Sequence, residues 1–578
     1  MGTRRSLRRA FEATRATLLA VLAVGMVACG DDDGPSPTPT ATASATRSAT
    51  APPSPTLTHT ATASATVQPT ATASRTPSPT ASATATFTAS ATATSSPSAS
   101  PTDSPSATPT LPADTPTASP TRQAITVHLD QSLGAVNPEL LGVGWNTGRL
   151  EDIAPFAPTT VRIDAHLPAV SPDAGTVQLA SLLDAVARVH AIGGEPLVIL
   201  FPMPDWLGAP TAAHCTPPTL VGGPCSPELV APADFDAWEE LIADVVRTLA
   251  TAPQPALRFE SWNEPDLFIF WHDTQDAFFR TAAATHRAVA RVAAETGLPI
   301  EIGGPAASLS SFGVGQRFIP DYVAAMVAAG QPIGFVSWHW YANYPFLGPD
   351  GNEGNVPDII YDMIAQVNPD ATPRSYTQLT HNIRGAVAQQ LPPGSAMPPL
   401  NIDEWNLSAG GYDLRNDTHV GASFVAASLI EMERAGLDRA NIYRSISGNT
   451  LPGDWGIVGP NGEHKPNWWV FDAFQQMHGE RLAVEGDDPA GGLWARAVHD
   501  GPVLHILLST FRATGGSGRS VALALDGSCT ASAADRAVLD EQSTTFTDVL
   551  SQPVVDGTIS LDLGSESVTW LRLQCGTP

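Results

Sequence analysis

From about residue 123 onward the chain alternates between two periodicities. Short apolar runs are each followed by a longer stretch in which apolar positions recur every third or fourth residue. The first pattern is that of strands buried on both faces, the second that of amphipathic helices covering them. The runs fall at Leu140–Asn146, Thr160–Ala165, Pro196–Phe201, Leu257–Trp262, Ile300–Gly303, Phe335–His339, Leu400–Asp403 and Ala440–Ser445. Helical stretches between them include Leu179–Ala191, Phe235–Ala250, Thr274–Glu295 and Val420–Ala435. Strands alternating with helices in this way predict an α/β fold, one (β/α)8 TIM barrel over residues 123–478. After a last helix, Trp468–His478, the pattern shortens. Leu493–Val498, Val503–Ser509, Val521–Leu525, Ile559–Leu563 and Val568–Leu573 alternate apolar with polar positions between turn residues. That predicts a C-terminal antiparallel β-sandwich domain over 479–578. It clusters no aromatics in the manner of a binding module, so packing support is its expected role.

Composition changes the picture before residue 123. Arg4, Arg5, Arg8 and Arg9 precede the apolar run Leu18–Ala28, which ends at Cys29. Residues 1–29 therefore read as an export signal, too short to be a spanning helix. Met26-Val27-Ala28-Cys29 resembles a bacterial lipobox, which would make Cys29 the lipidated N-terminus of an envelope protein facing away from the cytoplasm. The alternative is a free cysteine in an ordinary signal peptide, and the paired arginines leave the export route open. Residues 30–122 are almost wholly Ser, Thr, Pro and Ala. Such a segment buries too little apolar surface to offset its ordering entropy, so a disordered linker is expected, a stalk or a plain spacer.

Acidic residues number 57 against 30 basic, a net charge of −27. With no basic patch past the signal, attraction to nucleic acid is excluded and the lipid anchor is the one expected membrane contact. Four cysteines remain besides Cys29: Cys215 and Cys225 in one Pro/Gly-rich loop, Cys529 and Cys575 near the end. Oxidising surroundings favour two local bridges. The alternative, a metal site, lacks histidine spacing beyond the lone His214. No metal or cofactor is expected.

The chemistry rests on two carboxylates. In LRFESWNEPDLFIFW, residues 257–271, the strand must stop at Pro265, leaving Glu264 at its carboxyl tip. In PPLNIDEWN the strand leading from Leu400 carries Glu404 in the same setting. Those tips are where barrel enzymes do their chemistry, and two carboxylates flanking a sugar acetal are what glycosidic hydrolysis requires. Glu301 begins its strand, at the face of a barrel that serves stability, and Asp403 is expected to point to the opposite side from Glu404. His339 and Tyr341 lie two apart at one strand end and so share a side. Arg162 is the one basic residue placed to hold Glu404 ionised. Trp145, Trp206, Trp262, Trp271, Trp338, Trp340, Trp405 and Trp455 cluster at predicted strand ends. Two or three of them are expected as sugar platforms, with Trp206 and Trp405 as candidates, although large aromatics also fill barrel rims.

Trp262-Asn263-Glu264-Pro265 resembles the acid/base signature of the clan A glycoside hydrolases. With Asp266-Leu267 and Phe270-Trp271, the stretch is most similar to family 39, which includes β-xylosidases and α-L-iduronidases. Gly303-Gly304-Pro305-Ala306, Ser337-Trp338-His339-Trp340-Tyr341 and Asp403-Glu404-Trp405-Asn406 follow in order. The resemblance implies that Glu264 is the acid/base, that Glu404 is the nucleophile of a retaining mechanism, and that Asn263 donates to the sugar 2-hydroxyl. It also implies that Tyr341 bonds the nucleophile, that His339 lines the same pocket, and that the early run Ile125–Leu129 joins the sandwich. Where members carry R-x-H, this chain has Arg162-x-Asp164 with His166 two places on, which bears on sugar preference at the −1 subsite. A carbohydrate substrate is thus expected. Two other readings keep the same residues: a barrel that binds glycans without cleaving them, and a transglycosylase. Hydrolysis of an aryl glycoside separates the first, and product analysis with an acceptor sugar the second.

Overall fold

A computed structural model describes residues 122–145, 149–208, 226–267, 269–308, 314–343, 374–408, 413–448, 450–512 and 517–575. The expectations for the signal and Cys29, for the linker up to residue 121 and for Cys215 and Cys225 fall outside the described residues. After β1 (Gln123–Ala135), eight parallel strands close a barrel in chain order. They are β2 (Gly142–Trp145), β3 (Thr160–Asp164), β4 (Glu195–Ile199), β5 (Arg258–Glu260), β6 (Glu301–Ala307), β7 (Val336–Asn343), β8 (Leu400–Ser408) and β9 (Arg439–Ile442). The ring is completed where Gly142 and Val143 pair with Asn441 and Ile442.

Helices α1 (Ala180–Ala191), α2 (Phe235–Ala250), α3 (Gln275–Thr296), α4 (Val314–Ala328), α5 (Arg374–Ala388), α6 (His419–Arg434) and α7 (Pro466–Gln475) surround the strands. Their ends follow from local chemistry. The Asp234 carboxylate accepts from the Asp236 and Ala237 amides to start α2, and Gly297 at φ 69° ends α3. One face of α2 buries Trp238, Leu241, Ile242, Val245, Val246 and Leu249 against the barrel. At the amino ends of the strands, Arg258 and Arg439 sit among Glu139, Glu195 and Glu301. Glu301 is therefore committed to this bottom ring. The Gly303-Gly304 pair lets β6 lie close to its neighbours. A Cβ on Gly303 would fall 2.4 Å from the Phe335 ring, and one on Gly304, whose φ is 149°, would fall 2.5 Å from Ser261 Oγ.

The remaining strands are β10 (Glu480–Glu485), β11 (Leu493–Asp500), β12 (Val503–Thr510), β13 (Arg519–Asp526), β14 (Ala533–Leu539), β15 (Val549–Pro553), β16 (Thr558–Leu563) and β17 (Ser567–Gln574). With β1 they form one sheet in the order β15-β14-β17-β12-β11-β10-β1-β13-β16. The sheet folds over as a sandwich around Ile125, Val127, Leu504, Ile506, Leu523 and Leu571, and its edges meet where Gln552 on β15 donates to the Ser560 carbonyl on β16. It is not wholly antiparallel, because β1 runs parallel to β13. Cys529 and Cys575 are bridged. The other face carries Trp494, Leu507, Val568 and Trp570 into the barrel's core. There Trp494 Nε1 donates to Glu431 of α6 at 2.9 Å and Arg496 Nε donates to Glu433 at 2.8 Å.

Candidate active site

The carboxyl ends of β3, β5, β7 and β8 converge on one buried polar cluster. Arg162 of β3 is 4% exposed and binds three partners. Its Nε donates to Glu260 Oε2 at 2.8 Å, its Nη1 to Glu404 Oε1 at 2.6 Å and its Nη2 to Asn263 Oδ1 at 2.9 Å. Accepting through Oδ1 leaves the Asn263 amide nitrogen free of that bond.

Glu264 follows where the chain leaves β5. Its amide donates to the Ala306 carbonyl at 3.0 Å, which holds the residue at φ 43°, a left-handed backbone. For a non-glycine residue such a conformation costs on the order of 1–3 kcal/mol and is kept where the surroundings impose it. Glu264 is buried, with Oε1 2.8 Å from His339 Nδ1. Glu404 on β8 accepts from Arg162 and, through Oε2, from the Tyr341 hydroxyl at 2.9 Å. His339 Nδ1 is 3.4 Å from the same Glu404 oxygen. One oxygen of each glutamate and a ring nitrogen of His339 lie within 4.8 Å of one another.

The two carboxyls sit in different electrostatic surroundings. Burial, and then the neighbouring Glu404 charge, push Glu264 well above the ordinary carboxylate range. Burial also raises Glu404, but Arg162 and the Tyr341 hydroxyl oppose it, so its rise is the smaller. Arg162 thus acts on Glu404 in the direction expected, and burial outweighs it. Burial and Arg162 together push His339 well below its usual range, leaving the imidazole neutral. What the arrangement offers is two buried carboxyls facing a common space, with burial and charge raising Glu264 more than Glu404.

Asp403 departs from expectation. Trp338 pairs with Ile402 but His339 with Glu404, so β8 carries one extra residue at this point. Such a bulge breaks the alternation of faces. Asp403 is consequently fully buried beside Glu260 and Arg162 rather than turned away. Glu260 itself was not foreseen. Its Oε1 accepts from Ser337 Oγ at 2.6 Å. The signal was present, since an acidic residue inside an apolar strand needs a buried partner.

The tryptophans divide sharply. Trp405, one residue past Glu404, points out of the barrel into the helix layer, where it is fully buried against Tyr376, Phe424 and Phe471. It has no face left for a sugar. Trp262 and Trp338 are fully buried too, and Trp271, Trp340 and Trp455 nearly so. Trp145 and Trp206 alone among the eight remain half-buried, and Trp206 Nε1 donates to the Ser171 carbonyl at 2.9 Å.

The closed (β/α)8 barrel carries its buried carboxyl pair at the tips of its fourth and seventh strands, an arrangement similar to that of the clan A glycoside hydrolases. Residues 226–504, just under half of the chain, match the profile of glycosyl hydrolases family 39. A beta-xylosidase of Caldicellulosiruptor saccharolyticus is 23% identical over 333 residues, 55% of this chain and 60% of its own. One from Geobacillus stearothermophilus is 24% identical over 272 residues, 44% of this chain and 49% of its own. The chain thus spans less than two thirds of either relative. The monomeric beta-xylosidase of Caulobacter crescentus CB15 shares the fold, with a TM-score of 0.58 at 18% identity over 78% of this chain and 99% of that one. In sequence the chain is most like family 39.

Proposed function

We propose that this protein is a retaining glycoside hydrolase of β-xylosidase type. The observation that carries the reading is the close approach of two buried carboxyls, with oxygens within 4.8 Å. Retaining enzymes hold their carboxyl pair about 5–5.5 Å apart, whereas inverting enzymes leave a wider gap for water. Glu404, ionised and fixed by Arg162 and Tyr341, attacks the anomeric carbon and forms a glycosyl ester. Glu264 gives its proton to the leaving oxygen in the same step. As a carboxylate it then takes a proton from water, whose oxygen attacks the anomeric carbon and releases Glu404. Asn263, its Oδ1 held by Arg162, donates through its amide nitrogen to the sugar 2-hydroxyl. Neutral His339 bonds Glu264 and moves no net charge. The substrate is an extracytoplasmic oligo- or polysaccharide, reached by an exported chain anchored through Cys29.

Aryl β-xylosides test the reading, with released xylose followed by NMR for the configuration of its first-formed anomer. Retention supports it, and inversion or no turnover on any aryl glycoside refutes it. Glu264→Ala should still form the glycosyl-enzyme on dinitrophenyl glycosides and be rescued by azide with retention. Glu404→Ala should form no covalent intermediate and give the inverted glycosyl azide. Exchange of these behaviours would swap the two roles.

A further inference from the structure

Behind the carboxyl pair lies a second pair that the two-carboxylate mechanism does not use. Glu260 is fully buried, and both its oxygens accept: Oε1 from Ser337, whose own Oγ accepts from the Ala306 amide at 3.0 Å, and Oε2 from Arg162. Asp403, also fully buried, makes no well-formed hydrogen bond on either oxygen among the described residues, and the nearby Ser337 hydroxyl only partly opposes the effect of its burial. Its polar neighbours are the Glu260 carboxyl, Arg162 and Ser337. An ionised carboxylate without a donor is untenable at that depth, and a proton between two adjacent carboxyls satisfies both. Burial and the Glu260 charge drive Asp403 well above the ordinary range, in the same sense as the geometry. One guanidinium therefore serves two carboxylates, Glu260 and Glu404, while the third carboxyl is neutral. The groups acting on Glu404 are Arg162 from β3, Glu260 of β5 and Glu264 beyond it, and His339 and Tyr341 from β7.

We propose that Asp403 is a neutral acid whose proton is shared with Glu260, and that Glu260 draws Arg162 partly away from Glu404, so that this rear pair sets the charge on the nucleophile. Both are positioning residues. With Glu260 ionised, Arg162 neutralises Glu404 incompletely and leaves it a stronger nucleophile than a simple ion pair would. The kinetic arm of the test rests on the glycosidase reading, and the spectroscopic arm does not.

Glu260→Gln should release Arg162 wholly to Glu404. The acidic limb of kcat/KM should then move down by about one pH unit, with about a threefold loss at neutral pH. On activated aryl glycosides, where breakdown of the ester limits turnover, kcat should hold, because a better-stabilised Glu404 is also a better leaving group. Mere misfolding of the site would lower both. Asp403→Asn keeps a neutral donor in place, so the acidic limb of its kcat/KM profile should not move. Infrared spectra of the full chain at neutral pH should lose one protonated-carboxyl C=O band in Asp403→Asn, with Glu264→Gln marking the band of the other neutral acid. If Asp403→Asn removes no such band, or shifts the acidic limb as Glu260→Gln is expected to, Asp403 is ionised and the proposal falls. If Glu260→Gln leaves the acidic limb in place, the division of Arg162 is refuted. Absence of hydrolysis by the parent protein would sink the glycosidase reading and still leave the infrared result to decide the proton.

Discussion

Arg162→Met is the most informative single substitution, because it keeps an apolar stem and strands two carboxylates at once. The lost bonds run to Glu260, Glu404 and Asn263, from a side chain 4% exposed. Removing one partner of a buried ion pair typically costs about 3–5 kcal/mol, since the remaining charge is left uncompensated. Here the stranded groups can escape by taking protons. The Glu404 carboxyl, already raised by burial, then rises further above its unfolded value, so the folded state binds more protons and stability falls as pH rises, by about 1.4 kcal/mol per unit for that group. The cost should be about 4 kcal/mol near pH 7.5 and shrink to about 1–2 kcal/mol near pH 5, where only the lost hydrogen bonds remain. Urea titrations followed by tryptophan fluorescence at several pH values measure it. Arg162→Met/Glu260→Gln should recover about half of the neutral-pH loss, because one stranded charge has gone. A cost below about 1 kcal/mol, or one equal at both pH values, would refute the charge arrangement.

Gly303→Ala should destabilise the barrel by about 1–3 kcal/mol or more in urea, since its Cβ would sit 2.4 Å from the Phe335 ring. Glu264→Gln should raise Tm near pH 8 and leave it unchanged near pH 4, because a carboxyl with a raised folded pKa costs stability only above the ordinary carboxylate range. His286, bonded to Tyr322 and the Pro332 carbonyl, is pushed by burial from 6.5 to about 4. The stability tied to its neutral form should therefore be lost as pH falls through that window, and His286→Gln should flatten thermal melts there. Cys529→Ser/Cys575→Ser opens a loop of sequence separation 46, an entropic loss of up to about 4 kcal/mol for the sheet, read as an earlier urea transition.

All eight barrel strands were legible because parallel strands are apolar on both faces and stand out against the helical period. Three sheet strands were not. In β10 only Leu482 is fully buried, β14 carries Asp535 and Arg536 within its run, and β15 is an edge strand with Val549 and Leu550 exposed. None offers a clean apolar alternation. At the site, Glu264, Arg162, Tyr341 and His339 could be placed by face and position. Asp403 could not, because a bulge leaves no trace in a pattern of alternating residues. Trp405 misled for the opposite reason: adjacency to Glu404 in sequence means opposition in a strand, so the aromatic ring belongs to the helix layer.

One consequence of the sheet order concerns how the molecule is made. β1 pairs with β10 and β13, Ala135 lies opposite Glu480, and the Val136 amide donates to the Gly479 carbonyl at 3.0 Å. In connectivity the entire barrel is the loop of a β-hairpin. Its two ends leave and re-enter the sheet at neighbouring points, so the excursion between them strains neither. During synthesis, however, β1 leaves the ribosome first and finds no ladder partner until everything in between has been translated. All of the barrel is therefore translated while β1 lacks its partners, and β1 takes its place in the sheet only once β10 and β13 have followed.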